Sequence, residues 1–285
     1  MPTGKNMSAK SIDYKRFIAQ QLECWAQAKS TYDSLAQTHS RQLDLGDCVV
    51  TLQHNPARVR SSTAKIDKAS IAQRGCFLCR EARPKEQLFI EEDGYELLVN
   101  PYPIFPDHLT IALAHHEPQR VAGRMHDMVK WAEMLEGMTV FYNGARCGAS
   151  APDHMHFQAA ATKEFPVWRW IDTDSLPESP AYILCHSADE AENILEKLPH
   201  RPEEEPDVNI LARSHDNKID IAIVPRRKHR PSCYGTEGEG CVLLSPASVD
   251  MGGVWVLPRE YDYRTLTAAK LKDIICETAY KRSEL

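Results

Sequence analysis

The sequence predicts an α+β fold, an antiparallel sheet with packed helices arranged as two related half-domains. Three observations carry this prediction. "YELLVNPYPIFPDHLTIALAHHEPQ" holds two apolar runs joined by a proline-punctuated link that no helix could cross, and it is followed by a stretch of helical period and then by an alternating strand. "VNILARSHDNKIDIAIVP" reads as a hairpin turning at Asp216-Asn217. "LTIALAHHEP" and "IDIAIVPRRKHRP" echo one another, each a strand ending in a basic, histidine-containing turn and a proline. With 285 residues, 42% of them hydrophobic, the chain is long enough for one large domain or two medium ones and can bury a core. We divide it into an N-terminal helical segment (1–46), a first half that carries the candidate chemistry (47–165) and a second half (166–285).

From residue 11 to 39 there is no proline or glycine, and Phe17, Leu22, Trp25, Tyr32 and Leu35 recur at helical intervals, which predicts one or two helices. Residues 48–52 read as a strand entering a basic turn, and "RGCFLCR" as a compact turn. Residues 120–142 carry Val121, Met125, Met128, Trp131, Met134, Leu135 and Met138 with helical period, predicting one long amphipathic helix. It ends at "NGARCGAS", which leads into "APDHMHFQAA". There His154, His156 and Gln158 sit every second residue; on an extended chain they share one face, and Met155, Phe157 and Ala159 take the core face. "RPEEEPD" marks a linker or an exposed loop, "GCVLLSPASVDMGGVWVLP" adds further strands, and a last helix spans about 267–280.

The net charge of −6 argues against bulk attraction to nucleic acid or membrane, so any anion must be held by a local cluster. Nine cysteines, an odd number, and a first segment without a secretory apolar run predict a cytoplasmic, reduced protein. Cys76 and Cys79 form C-x-x-C, whose spacing lets two thiolates reach one tetrahedral ion. The redox reading of that motif needs an apolar helix that "RGCFLCREARPKEQ" does not open, and a pair of unlinked buried cysteines is the bland alternative. His108, His115, His116, His154 and His156 crowd a short span, and two of them with the two thiolates would close a zinc site. Imidazole also serves as general base or as nucleophile toward phosphorus. The chain has no P-loop, dinucleotide loop or G-x-S-x-G elbow, which leaves histidine as the reactive group.

"NGARCGASAPDHMHFQ" resembles the active-site segment of the galactose-1-phosphate uridylyltransferase branch of the histidine triad superfamily, where an Asn- and Gly-rich loop and a Ser precede H-x-H-x-Q. Diadenosine tetraphosphate phosphorylases and GDP-hexose phosphorylases share H-x-H-x-Q. The resemblance implies a histidine-triad-like sheet in both halves, His156 as the nucleophile that becomes transiently nucleotidylated, and Gln158 hydrogen-bonding the phosphoryl oxygens. It implies a structural zinc on Cys76, Cys79, His154 and a fourth ligand best matched by His116, with His108 and His115 as runners-up. "NPYPIFPDHLTI" is similar to the segment lining the nucleotide pocket, which makes Asn100 and His108 candidates for substrate binding, as are Asn143 and Ser150, which bracket the Asn- and Gly-rich loop. "QHNPARVRSSTAK" resembles the arginine-bearing strand before the metal motif, so Arg58, Arg60 and Lys65 would meet phosphate or sugar unless they form a solvated basic turn. In "RRKHRPSCY", Lys228, His229 and Arg230 are either contacts to the distal part of the substrate or a surface charge run. The resemblance also implies a homodimer.

The chain departs from the uridylyltransferases at Met155 and Asp153, where that branch has proline, and "HMHFQ" is nearer the GDP-hexose phosphorylases. An amide at Gln158 cannot activate water or protonate a leaving group as a third histidine would, so the intermediate should wait for a better acceptor. The expectation is a nucleotidyltransferase or phosphorylase acting on a nucleoside diphosphate sugar, with phosphate or a sugar 1-phosphate as partner. The enzymatic alternative is a dinucleoside polyphosphate phosphorylase, and the alternative of another class is a non-catalytic, zinc-stabilised nucleotide-binding protein.

Overall fold

The computed structural model describes residues 11–59, 63, 70–71, 74–201, 204–235, 237–238 and 240–285. Arg60 and Lys65, expected at the substrate, lie outside the described residues. In chain order the elements are α1 (Tyr14–Cys24), α2 (Ala26–Asp33), β1 (His39–Asp44), β2 (Val49–His54), β3 (Phe89–Glu92), β4 (Tyr95–Val99), β5 (His108–Leu113), α3 (Met125–Met134), β6 (Met138–Asn143), β7 (His156–Ala161) and α4 (Pro166–Asp172). They continue with β8 (Ile183–Cys185), α5 (Ala188–Lys197), β9 (Val208–His215), β10 (Lys218–Pro225), α6 (Ser248–Met251), β11 (Val254–Leu257), α7 (Glu260–Thr265) and α8 (Ala268–Thr278).

One eight-stranded antiparallel sheet has the order β3-β4-β5-β7-β6-β9-β10-β8, so the two halves of the chain meet where β6 pairs with β9. A second sheet of order β1-β2-β11 joins the amino-terminal strands to β11, which runs parallel to β2. Alternation decides what each face of the large sheet buries. Leu97, Leu109, Ile111, Phe157, Ala159, Val140, Ile210 and Ile221 pack under α1, α3 and α5. The opposite face carries Phe141, Ala160, Leu211 and Ala222, covered by α4, α8 and β11 through Trp168, Ile274 and Trp255. Its far end carries Leu98 and Ala112, covered by the Cys76–Cys79 turn through Leu78. His156 and Gln158 stand on this second face, since Ala112 and Thr110 are their partners on β5.

The hairpin turns where the sequence says it should. Asp216 and Asn217 have φ of 50° and 58°, the left-handed pair of a two-residue hairpin turn, a conformation that these short polar side chains tolerate. The long helix expected over 120–142 is corrected: α3 ends at Met134, Gly137 turns the chain at φ 78°, and "MTVFYN" forms the central strand β6. All six residues of β6 are buried, so it shows no alternation, and Met138 falls by coincidence on the helical stripe. The histidine strand begins at His156, so His154 lies in the preceding turn. β1, within the segment expected to be helical, is polar and half-exposed and gives no apolar signal. Of the strands expected in "GCVLLSPASVDMGGVWVLP", β11 forms, together with an isolated bridge at Val242. No helix among the described residues is long and apolar enough to cross a membrane.

Candidate active site

Cys76 and Cys79 face each other across a turn closed by the Cys79 N–H donating to the Cys76 carbonyl (3.2 Å). Leu78 buries between them and the sheet, while Arg74 pairs with Asp153 at 3.0 Å and donates to the Ser150 carbonyl. Arg80 and Arg83 both reach the buried Glu96 carboxylate on β4. The turn is therefore fastened to β4 and to the segment before the histidines. Cys76 Sγ lies 3.2 Å from His154 Nδ1, Cys79 Sγ lies 3.2 Å from His116 Nδ1, and the four ligand atoms fall within 4.8 Å of one another. A tetrahedral zinc with Zn–S near 2.3 Å and Zn–N near 2.0 Å requires ligand separations of about 3.3–3.8 Å, so this donor set suits the ion. His154 Nε2 donates to the Leu113 carbonyl at 2.8 Å, which turns its Nδ1 to the sulfurs, the orienting contact that metal-bound imidazoles ordinarily have. Burial tends to raise the Cys76 thiol, but hydrogen bonds from His154 and from the Leu78 and Cys79 amides bring it down to about 6. Burial and the neighbouring Cys76 push Cys79 up to about 11. Of the other two histidines considered for this place, His115 is exposed and bonds Glu117, and His108 bonds Gln158.

Two residues on, His156 is 3% exposed. Its Nδ1 lies 2.8 Å from the His154 carbonyl, an acceptor only, so Nδ1 carries the proton and Nε2 the lone pair. Burial lowers its pKa to about 4, and the ring is neutral at physiological pH. Beside it, Gln158 is held by its carbonyl. His108 Nδ1 accepts from the Ile104 N–H (3.1 Å), so His108 Nε2 is the donor to Gln158 Oε1 (2.9 Å). Asn100 Nδ2 approaches the same oxygen at 3.5 Å and donates to Thr110 Oγ1 at 3.1 Å. Gln158 Nε2 is left with no partner among the described residues. His108 is lowered to about 3 by burial and by the nearby Arg58 charge. Arg58 is anchored by donating to the Tyr102 carbonyl (2.8 Å), and its charge is felt at His108.

The remaining expected residues are less directly placed. The Asn143 amide is engaged: its Oδ1 accepts from Asn209 Nδ2 (3.1 Å) and from the Ser248 N–H and hydroxyl (2.8 Å each). The loop after it can pack so closely because Gly144 and Gly148 lack side chains; a Cβ would meet the Val208 carbonyl at 2.8 Å and Ala247 at 2.6 Å. Ser150 is exposed. Lys228 pairs with Glu277, His229 hydrogen-bonds Ser245 at 2.7 Å, and Arg230 reaches the same hydroxyl at 3.2 Å and stacks over Tyr234. Buried Arg226, which the sequence reading passed over, donates to the Lys228 carbonyl and to Asn209, and so links this loop through Asn209 to Asn143. Gln119, also passed over, donates to the Asn143 and His156 carbonyls and accepts from the His156 N–H. Neither role has a sequence signature, since both arise from contacts between distant segments.

Residues 17–161 match the family described as "Domain of unknown function (DUF4922)". No curated protein matches the sequence. Crystal structures of the yeast Ap4A phosphorylase Apa2 are similar over nearly their whole length. In complex with Ap4A that enzyme has 15% sequence identity and a TM-score of 0.66, covering 95% of this chain and 99% of its own. A second Apa2 structure gives 17%, 0.60, 90% and 97%, and the AMP complex 15%, 0.57, 92% and 97%. At these identities the likeness shows the fold, an α+β, histidine-triad-like sheet with packed helices.

Proposed function

We propose that this chain, which belongs to the DUF4922 family, is a nucleotidyltransferase of the phosphorylase type that works through a covalent nucleotidyl-His156. The observation that carries the reading is the neutral His156 ring, its Nδ1 proton committed to the His154 carbonyl, beside a Gln158 amide whose oxygen is committed to His108. Nothing has to remove a proton from Nε2 before it attacks. The Nε2 lone pair forms a bond to the α-phosphorus, the P–O bond to the bridging oxygen breaks, and the rest of the polyphosphate leaves with that electron pair. Gln158 Nε2 donates to the phosphoryl oxygens as charge develops, and Arg58 supplies a cation to the chain of phosphates. An incoming phosphate oxygen then bonds to the same phosphorus, the N–P bond breaks, and Nε2 regains its pair. Cys76, Cys79, His116 and His154 would hold a zinc, which leaves no open ligand position and supplies structure to the turn before His156.

For the substrate we favour a dinucleoside polyphosphate, because the similar structures belong to an Ap4A phosphorylase and cover this chain nearly end to end. The second reading, a nucleoside diphosphate sugar, rests on "HMHFQ" and its likeness to GDP-hexose phosphorylases. The test is incubation of the purified protein with panels of both substrate classes, with and without phosphate, followed by mass analysis of the products and of the intact protein. Phosphate-dependent release of a nucleoside diphosphate from a dinucleoside polyphosphate, with a mass increment on wild-type protein that His156→Ala lacks, is the expected result. Turnover of nucleotide sugars alone would move the substrate to the second reading. Binding without turnover or adduct would leave a nucleotide-binding protein.

A further inference from the structure

The ladder between β6 and β7 runs from Met138 opposite Ala161 to Phe141 opposite Gln158 and ends there. On its other side β7 stays paired with β5 down to Ala112 opposite His156. Continued by two residues, the β6–β7 register would set Asn143 against His156, but the ladder stops short of that pair, and the Asn143 side-chain oxygen is engaged by Asn209 and Ser248. The amide of Gln119 stands in the gap. Its Oε1 accepts from the His156 N–H (2.8 Å), and its Nε2 donates to the His156 carbonyl (3.0 Å) and to the Asn143 carbonyl (2.9 Å). A primary amide offers the same acceptor and donor as a peptide group, so Gln119 replaces a missing rung of the sheet. It is 3% exposed, and its own N–H donates to the Pro152 carbonyl, while the Met155 N–H donates to the Glu117 carbonyl. The segment holding Gln119 therefore lies alongside the turn that carries His154, three residues beyond His116.

We propose that Gln119 is a positioning residue for the nucleophile. Where two strands part, the backbone of the residue at the fork loses one set of its ladder bonds and is free to rotate, and an imidazole on that backbone rotates with it. By binding both peptide groups of His156, Gln119 fixes the ring so that Nδ1 meets the His154 carbonyl and Nε2 is presented to the α-phosphorus. The parting of β6 and β7 opens the sheet face for the phosphate, and Gln119 keeps the opening from costing alignment. This inference rests on the nucleotidyl-transfer reading for its kinetic consequence but not for its structural one.

The test compares full-length, metal-loaded Gln119→Ala and Gln119→Glu with Gln21→Ala, which removes another buried amide, one that bonds Glu86 and Leu88 under the N-terminal helix. Glutamate keeps the size and the acceptor for the His156 N–H but has no donor for the two carbonyls. In both Gln119 variants, kcat and the rate of nucleotidyl-protein formation should fall about 100-fold, with the nucleotide KM and the zinc content nearly unchanged, as a misplaced reacting group of roughly 1 Å would produce. Nitrogen-15 spectra of histidine-labelled protein should show the single Nδ1–H tautomer of His156 giving way to a mixture. Gln21→Ala should lower Tm without either change. If Gln119→Ala does not fold, Gln119→Glu and Gln119→Asn carry the comparison. Gln119 variants that lose only thermal stability, with kcat and tautomer as in Gln21→Ala, would overturn the proposal. Should wild type form no nucleotidyl adduct at all, the functional reading falls, and the tautomer measurement alone decides the positioning role.

Discussion

His108 donates its Nε2 proton to the Gln158 carbonyl across 2.9 Å, and the Ile104 N–H donating to His108 Nδ1 permits no other arrangement of the neutral ring. In the proposed reaction the bond decides which end of Gln158 would face substrate. An amide free to flip would present its oxygen to phosphoryl oxygens half the time; the pinned amide presents its N–H. Gln158→Ala should therefore lower kcat about 100- to 1000-fold, the usual effect of removing one donor to a developing oxyanion. His108→Ala should lower it less, with zinc content unchanged in both. Equal, wild-type-like kcat in the two variants would dismiss Gln158 as the phosphoryl donor.

The two histidines of H-x-H differ in what they touch, and their variants should differ accordingly. His156→Ala should abolish turnover while leaving metal content and Tm near wild type, because among the described residues the His156 ring bonds only the His154 carbonyl. His154→Ala should reduce zinc and Tm together with activity, since its Nδ1 faces both cysteines. Elemental analysis and calorimetry on the two proteins check this, and identical behaviour would refute the division of roles.

Purified protein should carry about one zinc per chain, and Cys76→Ser or prolonged chelation should remove it. A closed site contributes folding energy, and several kcal/mol lost from a chain of this size lowers Tm by roughly 10 °C or more. A protein that is metal-free as isolated and indifferent to chelators would remove the site.

Stability should fall as the medium is acidified from about pH 6.5. His156 is held down to about 4, and His108 and His229 to about 3, each chiefly by burial. Between those values and the ordinary histidine range, the unfolded chain binds protons that the folded one refuses. Each group therefore withdraws up to about 1.4 kcal/mol per pH unit as pH drops. Asp250, raised by burial to about 6, takes its proton earlier in the folded state and offsets part of this between about 6 and 4. Urea midpoints measured from pH 7 to 4.5 should fall throughout, and His229→Asn should flatten the slope.

The elements that sequence reveals are those whose cause is local. The Asp216-Asn217 turn is legible because the conformation needs residues that tolerate positive φ, and C-x-x-C because that spacing brings two sulfurs close enough to serve one ion. β6 is not, because a strand buried on both faces loses its alternation and its first methionine continues the stripe of α3; Gly137 was the signal to weigh. The choice between His115 and His116 could not be made from spacing, since adjacent residues on extended chain point to opposite sides and only the tertiary fold says which side holds the cysteines. Gln119, Asn209 and Arg226 are invisible for a related reason, each acting through backbone groups that the sequence does not label.

By the resemblance of its sequence, Gln158 stands where histidine triad hydrolases have a third imidazole, and an amide can neither take a proton from water nor give one to a leaving group. A polyphosphate leaving group needs no proton, so the first half of the reaction loses little by the exchange. The second half with water loses the base that would activate it, whereas phosphate arrives already ionised and, in the proposed reaction, would be drawn by the Arg58 charge felt at His108. Phosphate should therefore accelerate release of nucleotide from nucleotidyl-His156 by orders of magnitude, and Gln158→His should raise hydrolysis relative to phosphorolysis. Single-turnover decay of the isolated adduct, with and without phosphate, measures both. Rapid decay in water that phosphate does not change would return the protein to the hydrolases and end the phosphorylase reading.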